Sequence, residues 1–364
     1  MLMMNGALLA CFLSLVFTPL VIWLCHRNGW YDRLDLRKIH SGRIPRLGGV
    51  AIFVSFSLAF SAGSVLGIVN RNVQGWSGNF LLVALATLAV FAAGLVDDFR
   101  PVRARYKFLI QLAASIVVVM SGYHFRTLVI PFPPYQVEFG WLGYPLSVLW
   151  IVGITNAMNM IDGMDGLSGG ISMIAAGVYG LLYAGLGEPL PALLAFSLAG
   201  AVVGYLFFNL PPARIFLGDA GAYFVGFMLA VLPLLHRGEH SANFGLMGAI
   251  TVLIIPVYDV FAAIWRRVRD KRSVMDPDRS HLHHKLMALG FNTRQILAIV
   301  YASGLLLGAA AISTMYLSLA WSYGIMVGAW VLFAGLFGVL HVLSRRNIVI
   351  IGREVTAQEG DCKS

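Results

Sequence analysis

The chain has 364 residues, 59% of them hydrophobic and 12% charged, with a mean hydropathy of +0.79 and a formal net charge of +9. A water-soluble domain cannot hide that much apolar surface, whereas lipid solvates it directly. The positive charge is read as Lys and Arg gathered at an anionic membrane face, and nucleic acid is set aside as a partner.

Apolar runs predict eleven helices, over 7–25, 47–69, 79–97, 107–123, 144–160, 166–185, 190–209, 218–235, 244–265, 296–316 and 320–342. Each approaches the ~20 residues that cross a bilayer. The first run leads into Cys25-His26-Arg27-Asn28-Gly29 and not into a small-residue cleavage site, so it is kept as a span. The three cysteines, Cys11, Cys25 and Cys362, give no disulfide framework. With the N-terminus outside, loops 26–46, 98–106, 161–165, 210–217 and 266–295, Lys107 and the tail from 343 hold 23 of the 26 basic residues. The outside loops hold only Arg71, Arg126 and Arg237. The positive-inside rule then predicts an all-α, polytopic membrane protein with its C-terminus in the cytosol. Residues 1–343 form one transmembrane domain, and 344–364 a polar, poorly ordered cytosolic tail.

Only 17 residues are Asp or Glu, so their placement carries information. Six of them, Asp97, Asp98, Asp162, Asp165, Asp219 and Asp259, fall at or near the cytosolic ends of predicted spans. Asp97 and Asp98 close the third helix, where carboxylates oppose the helix dipole and repel each other. The pair is either answered by Arg100, Arg103 or Arg105, or it handles a cation or phosphate. The fifth helix closes on Asn156-Ala157-Met158-Asn159-Met160-Ile161-Asp162-Gly163-Met164-Asp165-Gly166. Asn156, Asn159, Asp162 and Asp165 are spaced by three and build a stripe of oxygen ligands running into a Gly-rich turn. A solvated Asp-Gly turn is the plain alternative. Asn209 to Gly221 links the seventh and eighth helices. Asp219 is there either a simple N-cap or, beside Gly218 and Gly221, part of an anion and cation site. Asp259 could pair with Arg266 or Arg267, about two turns further on.

The segment Asp276 to Gly290 reads as a capped amphipathic helix, with Asp276 as N-cap, Pro277 in the first turn and Gly290 as the stop. Leu282, Leu286 and Leu289 form its apolar face, and Arg279, His281, His283, His284 and Lys285 its basic surface. Pyrophosphate binding suits this cluster best; a helix lying on anionic lipid and a zinc site are the alternatives.

These motifs, in this order, resemble the polyprenyl-phosphate N-acetylhexosamine-1-phosphate transferases. The match rests on Asp97-Asp98 with Lys107, on Asn156 to Asp165, on Asn209 to Asp219 and on His281 to His284. Lys38-Ile39-His40 and Pro45-Arg46-Leu47-Gly48-Gly49 add to it. The histidine segment looks like the WecA and TagO branch, which uses GlcNAc-1-phosphate. It looks less like the MraY branch, which transfers phospho-MurNAc-pentapeptide and typically shows three consecutive histidines, because Leu282 interrupts the run. The resemblance implies Mg2+ as cofactor, with Asp219 a ligand and Asn159 a second. It places Asp97 and Asp98 near the lipid phosphate and Lys107 on a phosphate. Asn156, Asn209, Asp162 and Asp165 belong to the substrate site, the last two positioning nucleotide or metal. Arg279, His281, His283 and His284 clamp the pyrophosphate. The implied partners are UDP-GlcNAc, undecaprenyl phosphate and the lipid bilayer, at the bacterial inner membrane with the site facing the cytosol; a homodimer is left open. A phospho-MurNAc-pentapeptide transferase, or a transferase for another UDP-N-acetylhexosamine, is one rival. A cation-coupled transporter is another, opposed by acids that cluster at one face and by the lack of an internal repeat.

Overall fold

In the computed structural model, which describes residues 2–31, 44–69, 78–131, 134–235, 245–271 and 281–361, the chain is almost wholly helical. The helices are α1 (Leu2–Asn28), α2 (Gly48–Val69), α3 (Gly78–Phe99), α4 (Ala104–Met120), α5 (Gly143–Ile161), α6 (Leu167–Gly185) and α7 (Pro189–Asn209). They continue with α8 (Gly218–Val231), α9 (Gly245–Val252), α10 (Ile254–Arg269), α11 (Leu282–Ala288), α12 (Thr293–Ile312) and α13 (Leu319–Asp361). All eleven expected segments are helical. Among the described residues, eight helices are long and apolar enough to cross a membrane, nine if α9 and α10 count as one span. The others include α4, with 17 residues, and α8, with 14.

Large apolar side chains such as Leu8, Phe12, Leu149 and Leu332 stand more than half exposed around the bundle. That is costly in water and ordinary against lipid tails. The interior centres on α8, where every residue but Asp219 is buried, packed on α2, α3 and α5. A helix that is apolar all round belongs inside a bundle. Helix α7 lies against α1, and a Cβ on Gly200 or Gly204 would strike the carbonyl of Ala7 or Cys11. Small residues four apart allow this close approach between spanning helices. Hydroxyls within the spans donate to their own helix, as Ser115 does to Gln111, Thr155 to Ile151 and Ser172 to Ser168. These three hydroxyls are thereby satisfied within their own helices.

Four features differ from the sequence reading. The span expected over 244–265 is broken at Leu253, with an 81° bend between α9 and α10. Pro256 explains the break: it has no N–H for the Val252 carbonyl, and its ring crowds that carbonyl. Between α4 and α5 the expected loop holds an antiparallel hairpin, β1 (Thr127–Pro131) and β2 (Pro134–Glu138). Helix α13 runs on past 343 to Asp361, where the sequence had given only a polar tail. The histidine helix starts at Leu282 with His281 as its N-cap residue; Asp276, Pro277 and Arg279 lie outside the described residues, as do Lys38, Ile39 and His40. Gly290 does end that helix turn, at φ +88°.

Candidate active site at the joined helix ends

The C-terminus of α3 meets the N-termini of α4 and α8, and the acid pair divides its work between them. One oxygen of Asp97 accepts the Val102 N–H at 2.6 Å and the other accepts Lys107 Nζ at 2.8 Å. Asp97 thereby closes the α3–α4 turn and holds the lysine. Asp98 accepts the N–H groups of Asp219 (2.8 Å) and Ala220 (3.0 Å), and its side chain is fully buried. It caps α8 from a neighbouring helix, 121 residues away, and sits at that helix's positive end. Arg46 links the two acids, with Nε 3.2 Å from Asp98 and a terminal nitrogen 3.1 Å from Asp219. Of these three carboxylates, Asp219 is the most open, with its side chain 15% exposed and Lys107 Nζ 4.0 Å away.

The local backbone follows from sequence. Gly218 has φ +76°, and a Cβ there would lie 2.8 Å from an Asp98 oxygen. Only glycine fits between Leu217 and the capped first turn. Arg46 is held by backbone pairing: Phe216 N–H donates to Pro45, Gly48 N–H to Phe216 and Gly49 N–H to Leu217, at 2.8–2.9 Å. The Pro45-Arg46-Leu47-Gly48-Gly49 run therefore lies across the entry to α8.

A second polar layer follows one turn along the helices. Asn159 Nδ2 faces the Tyr223 hydroxyl at 3.4 Å, and Lys107 Nζ lies 5.9 Å from the centroid of the Tyr223 ring. Deeper, Asn156 Nδ2 donates to Gln111 Oε1 (2.6 Å) and to the Val152 carbonyl (2.8 Å). Asn156 thus ties α5 to α4.

Asp165 and Asn209 act as fasteners. Asp165 accepts the Ala213 N–H at 3.0 Å. Asn209 accepts the Gly166 N–H at 3.0 Å and donates to the Ile215 carbonyl at 2.8 Å. The two bind the Asp162–Gly166 turn to the α7–α8 connection. Asp162, at the C-cap of α5, is pushed well above the usual carboxylate range, by burial first and then by the negative charge of Asp219.

The histidines approach from the other side. His281 Nδ1 lies 2.8 Å from one oxygen of Asp259, whose second oxygen accepts the Leu282 N–H at 2.9 Å. Asp259 therefore serves the histidine turn. His283 is 2% exposed, with Nε2 3.1 Å from where a Cβ on Gly163 would sit, and its ring centroid is 4.2 Å from that of His284. Burial, reinforced by neighbouring His284, pushes its pKa down to about 4, so this ring is neutral near pH 7. It is a packing contact onto the Asp162–Gly163 turn and contributes no positive charge.

The site thus joins Asp97, Asp98, Lys107 and Asp219 directly, reaches Asn159 through Tyr223, and meets the histidines at Gly163. Arg46, Gln111 and Tyr223 were missing from the sequence-derived set. Gln111 lies four residues after Lys107, and Tyr223 four after Asp219, so helical spacing held a signal for both. Arg46 gave no such signal, because its partners come from α3 and α8.

Asp97, Asp98 and Asp219 face Arg46 and Lys107, three carboxylates against two cations, so carboxylate oxygens are in excess before any substrate arrives. Carboxylate and amide oxygens around such an excess suit a divalent cation that also takes ligands from substrate phosphates. A multi-pass helical frame with this site at its joined helix ends defines a membrane enzyme for phosphate-bearing substrates. Residues 80–236 match the glycosyl transferase family 4. The chain is 35% identical over 309 residues to the probable undecaprenyl-phosphate N-acetylglucosaminyl 1-phosphate transferase of Bacillus subtilis, covering 84% of each chain. It is 31% identical over 314 residues to the undecaprenyl-phosphate alpha-N-acetylglucosaminyl 1-phosphate transferase of Yersinia pestis, covering 84% of this chain and 83% of the relative. It is also 31% identical to the decaprenyl-phosphate N-acetylglucosaminephosphotransferase of Mycobacterium leprae, covering 85% and 83%. The chain belongs to this family of polyprenyl-phosphate glycosyl-1-phosphate transferases.

Proposed function

We propose that the protein transfers GlcNAc-1-phosphate from UDP-GlcNAc to undecaprenyl phosphate, at the cytosolic face of the bacterial inner membrane. The observation that carries this reading is the Asp97–Lys107 and Asp98–Arg46–Asp219 network at the helix ends, in a chain of this family. Orientation rests on the basic residues, 23 of 26 of which fall on the site's side of the predicted spans.

A lipid phosphate oxygen attacks the β-phosphorus of UDP-GlcNAc. The bond from that phosphorus to the oxygen bridging the α-phosphate breaks, and UMP leaves with the electron pair. The products are undecaprenyl-pyrophosphoryl-GlcNAc and UMP. A phosphate monoester has a second pKa near ~6 and is mostly dianionic at neutral pH, so it needs no strong base. The main barrier is repulsion between anions, which Lys107 and Arg46 lower. Asp97 fixes the lysine and Asp98 fixes the start of α8. Asp98 is fully buried and accepts two N–H groups and a guanidinium, which makes it a poor nucleophile; direct displacement is favoured over an aspartyl-phosphate. Asp219 and Asn159 would hold Mg2+, which supplies charge screening on the diphosphate when bound.

The test is UMP release by purified protein given UDP-GlcNAc, undecaprenyl phosphate and Mg2+, beside Asp219→Asn. UMP that requires the lipid and is lost in the variant supports the reading. Folded protein that releases UMP without lipid, or only from another UDP-sugar, would refute it.

A further inference from the structure

Asp259 lies outside the acid network just described, yet it is 2% exposed and both of its oxygens are used. An acid buried at a membrane helix end carries a large desolvation cost unless it is paired and hydrogen-bonded. Its partners are specific. Helix α10 is amphipathic, with Phe261, Trp265 and Val268 exposed and Asp259, Ala263 and Arg266 turned inward. From that inner face Asp259 grips residues 22 and 23 positions further on, at the point where the histidine turn begins.

An imidazole has two nitrogens with different tasks. A carboxylate at Nδ1 keeps a proton on Nδ1 in both the neutral and the charged ring, so Nε2 is the nitrogen left for substrate. The His281 ring is further restrained by a near-parallel His283, at 7° and 6.1 Å. His283 is itself seated against Gly163. The chain from α10 to the Asp162–Gly163 turn is thus continuous: Asp259, His281, His283, Gly163.

We propose that Asp259 is a positioning residue for phosphoryl transfer: it sets the proton and orientation of His281 so that Nε2 meets the diphosphate of the sugar nucleotide. This rests on the transferase reading above. In metal sites, removing a carboxylate that orients a ligating histidine costs about 10–100-fold in affinity or activity, and a loss of that order is expected here.

Two substitutions separate orientation from simple support of α11. Asp259→Asn keeps an oxygen for the Leu282 N–H but presents an N–H to His281 Nδ1. That forces the ring proton to Nε2 and forbids the imidazolium. Asp259→Ala removes both contacts. The experiment measures kcat and KM for UDP-GlcNAc, with thermal unfolding of the detergent-solubilised protein, for wild type, Asp259→Asn, Asp259→Ala, His281→Ala and the Asp259→Asn/His281→Ala double variant. The expected result is a wild-type melting temperature for Asp259→Asn with kcat about 10–100-fold lower. The double variant should be no slower than His281→Ala. Full activity in Asp259→Asn alongside an impaired His281→Ala would overturn the role of Asp259 alone, as would losses that multiply in the double variant. Full activity in His281→Ala would remove the histidine from the reaction and overturn the assignment together with the pyrophosphate role of that turn.

Discussion

Replacing Asp98 by alanine tests whether an acid of the conspicuous pair works by holding the frame. The change removes the acceptor for the N–H groups of Asp219 and Ala220 and one of the two carboxylates on Arg46. A lost N-cap costs about 0.5–2 kcal/mol, and each buried donor left without an acceptor about 1–3 kcal/mol. Because the capped N–H groups are the same two donors, these ranges overlap and are not summed; about 2–5 kcal/mol is expected. Asp98→Asn keeps one acceptor oxygen and the volume of the side chain, so about half of that loss should return. The assay pairs UMP release with the fraction of monodisperse protein surviving a temperature series in detergent. Stability and activity should fall together, with alanine worse than asparagine. An Asp98→Ala protein that melts like wild type but releases no UMP would refute the reasoning, because the carboxylate would then act in the chemistry itself.

Lys107→Met leaves Asp97 without its cation and removes the charge proposed above to screen the phosphates; kcat/KM should fall by at least about 100-fold, and Lys107→Arg should recover part of it. Gly218→Ala meets both an unfavourable φ, at about 1–2 kcal/mol, and the Asp98 carboxylate, so its yield of folded protein should drop well below that of Gly177→Ala, where a Cβ meets nothing within 4 Å. Chelation should abolish UMP release and Mg2+ should restore it, with Asp219→Asn needing more; turnover that persists in excess chelator would exclude the metal. For His283, the folded pKa of about 4 lies below the ordinary 6.5, so the folded state resists protonation. Stability is unaffected by this group above about pH 6.5 and declines as pH falls toward 4, by up to about 3 kcal/mol. His283→Gln should show a shallower loss across that window, and parallel wild-type and variant curves would contradict the assignment.

The spans were legible because apolar runs end at Gly, Pro or charge: α5, α6 and α7 lie within one residue of the expected 144–160, 166–185 and 190–209. The break at Leu253 was not, because Ile254 and Ile255 continue the apolar run across it and hide the effect of Pro256. The hairpin at 127–138 consists of two strands of five residues, too short to stand out as a period-two pattern. Of the site, the membership of Asp97, Asp98, Asp219 and Lys107 was visible, since charges are rare in this chain and these four sit at helix ends. Their pairings were not visible. Which carboxylate meets Lys107 and which caps α8 depends on how α3, α4 and α8 converge, and that is set by packing between helices far apart in sequence.

The same division of labour explains why so many acids crowd one end of the bundle. Asp98 caps α8, Asp165 and Asn209 fasten the α5–α6 turn to the α7–α8 connection, and Asp259 holds the histidine turn. Each satisfies backbone N–H groups at helix ends or in the loops between them, where the helical ladder cannot reach. Such a site must be polar to take a diphosphate yet lie where water and lipid compete for every exposed group. Tying its loops with buried carboxylates keeps the backbone fixed while leaving Asp219 and Lys107 partly open. On this view, substitutions in Asp98, Asp165, Asn209 and Asp259 share a signature of altered geometry, and those in Asp219 and Lys107 a signature of altered charge. Amide replacement of the acids separates the two groups at Asp98, Asp165 and Asp219: an amide can still accept a backbone N–H, but it cannot balance a cation; at Asp259 it also reverses the contact with His281 Nδ1.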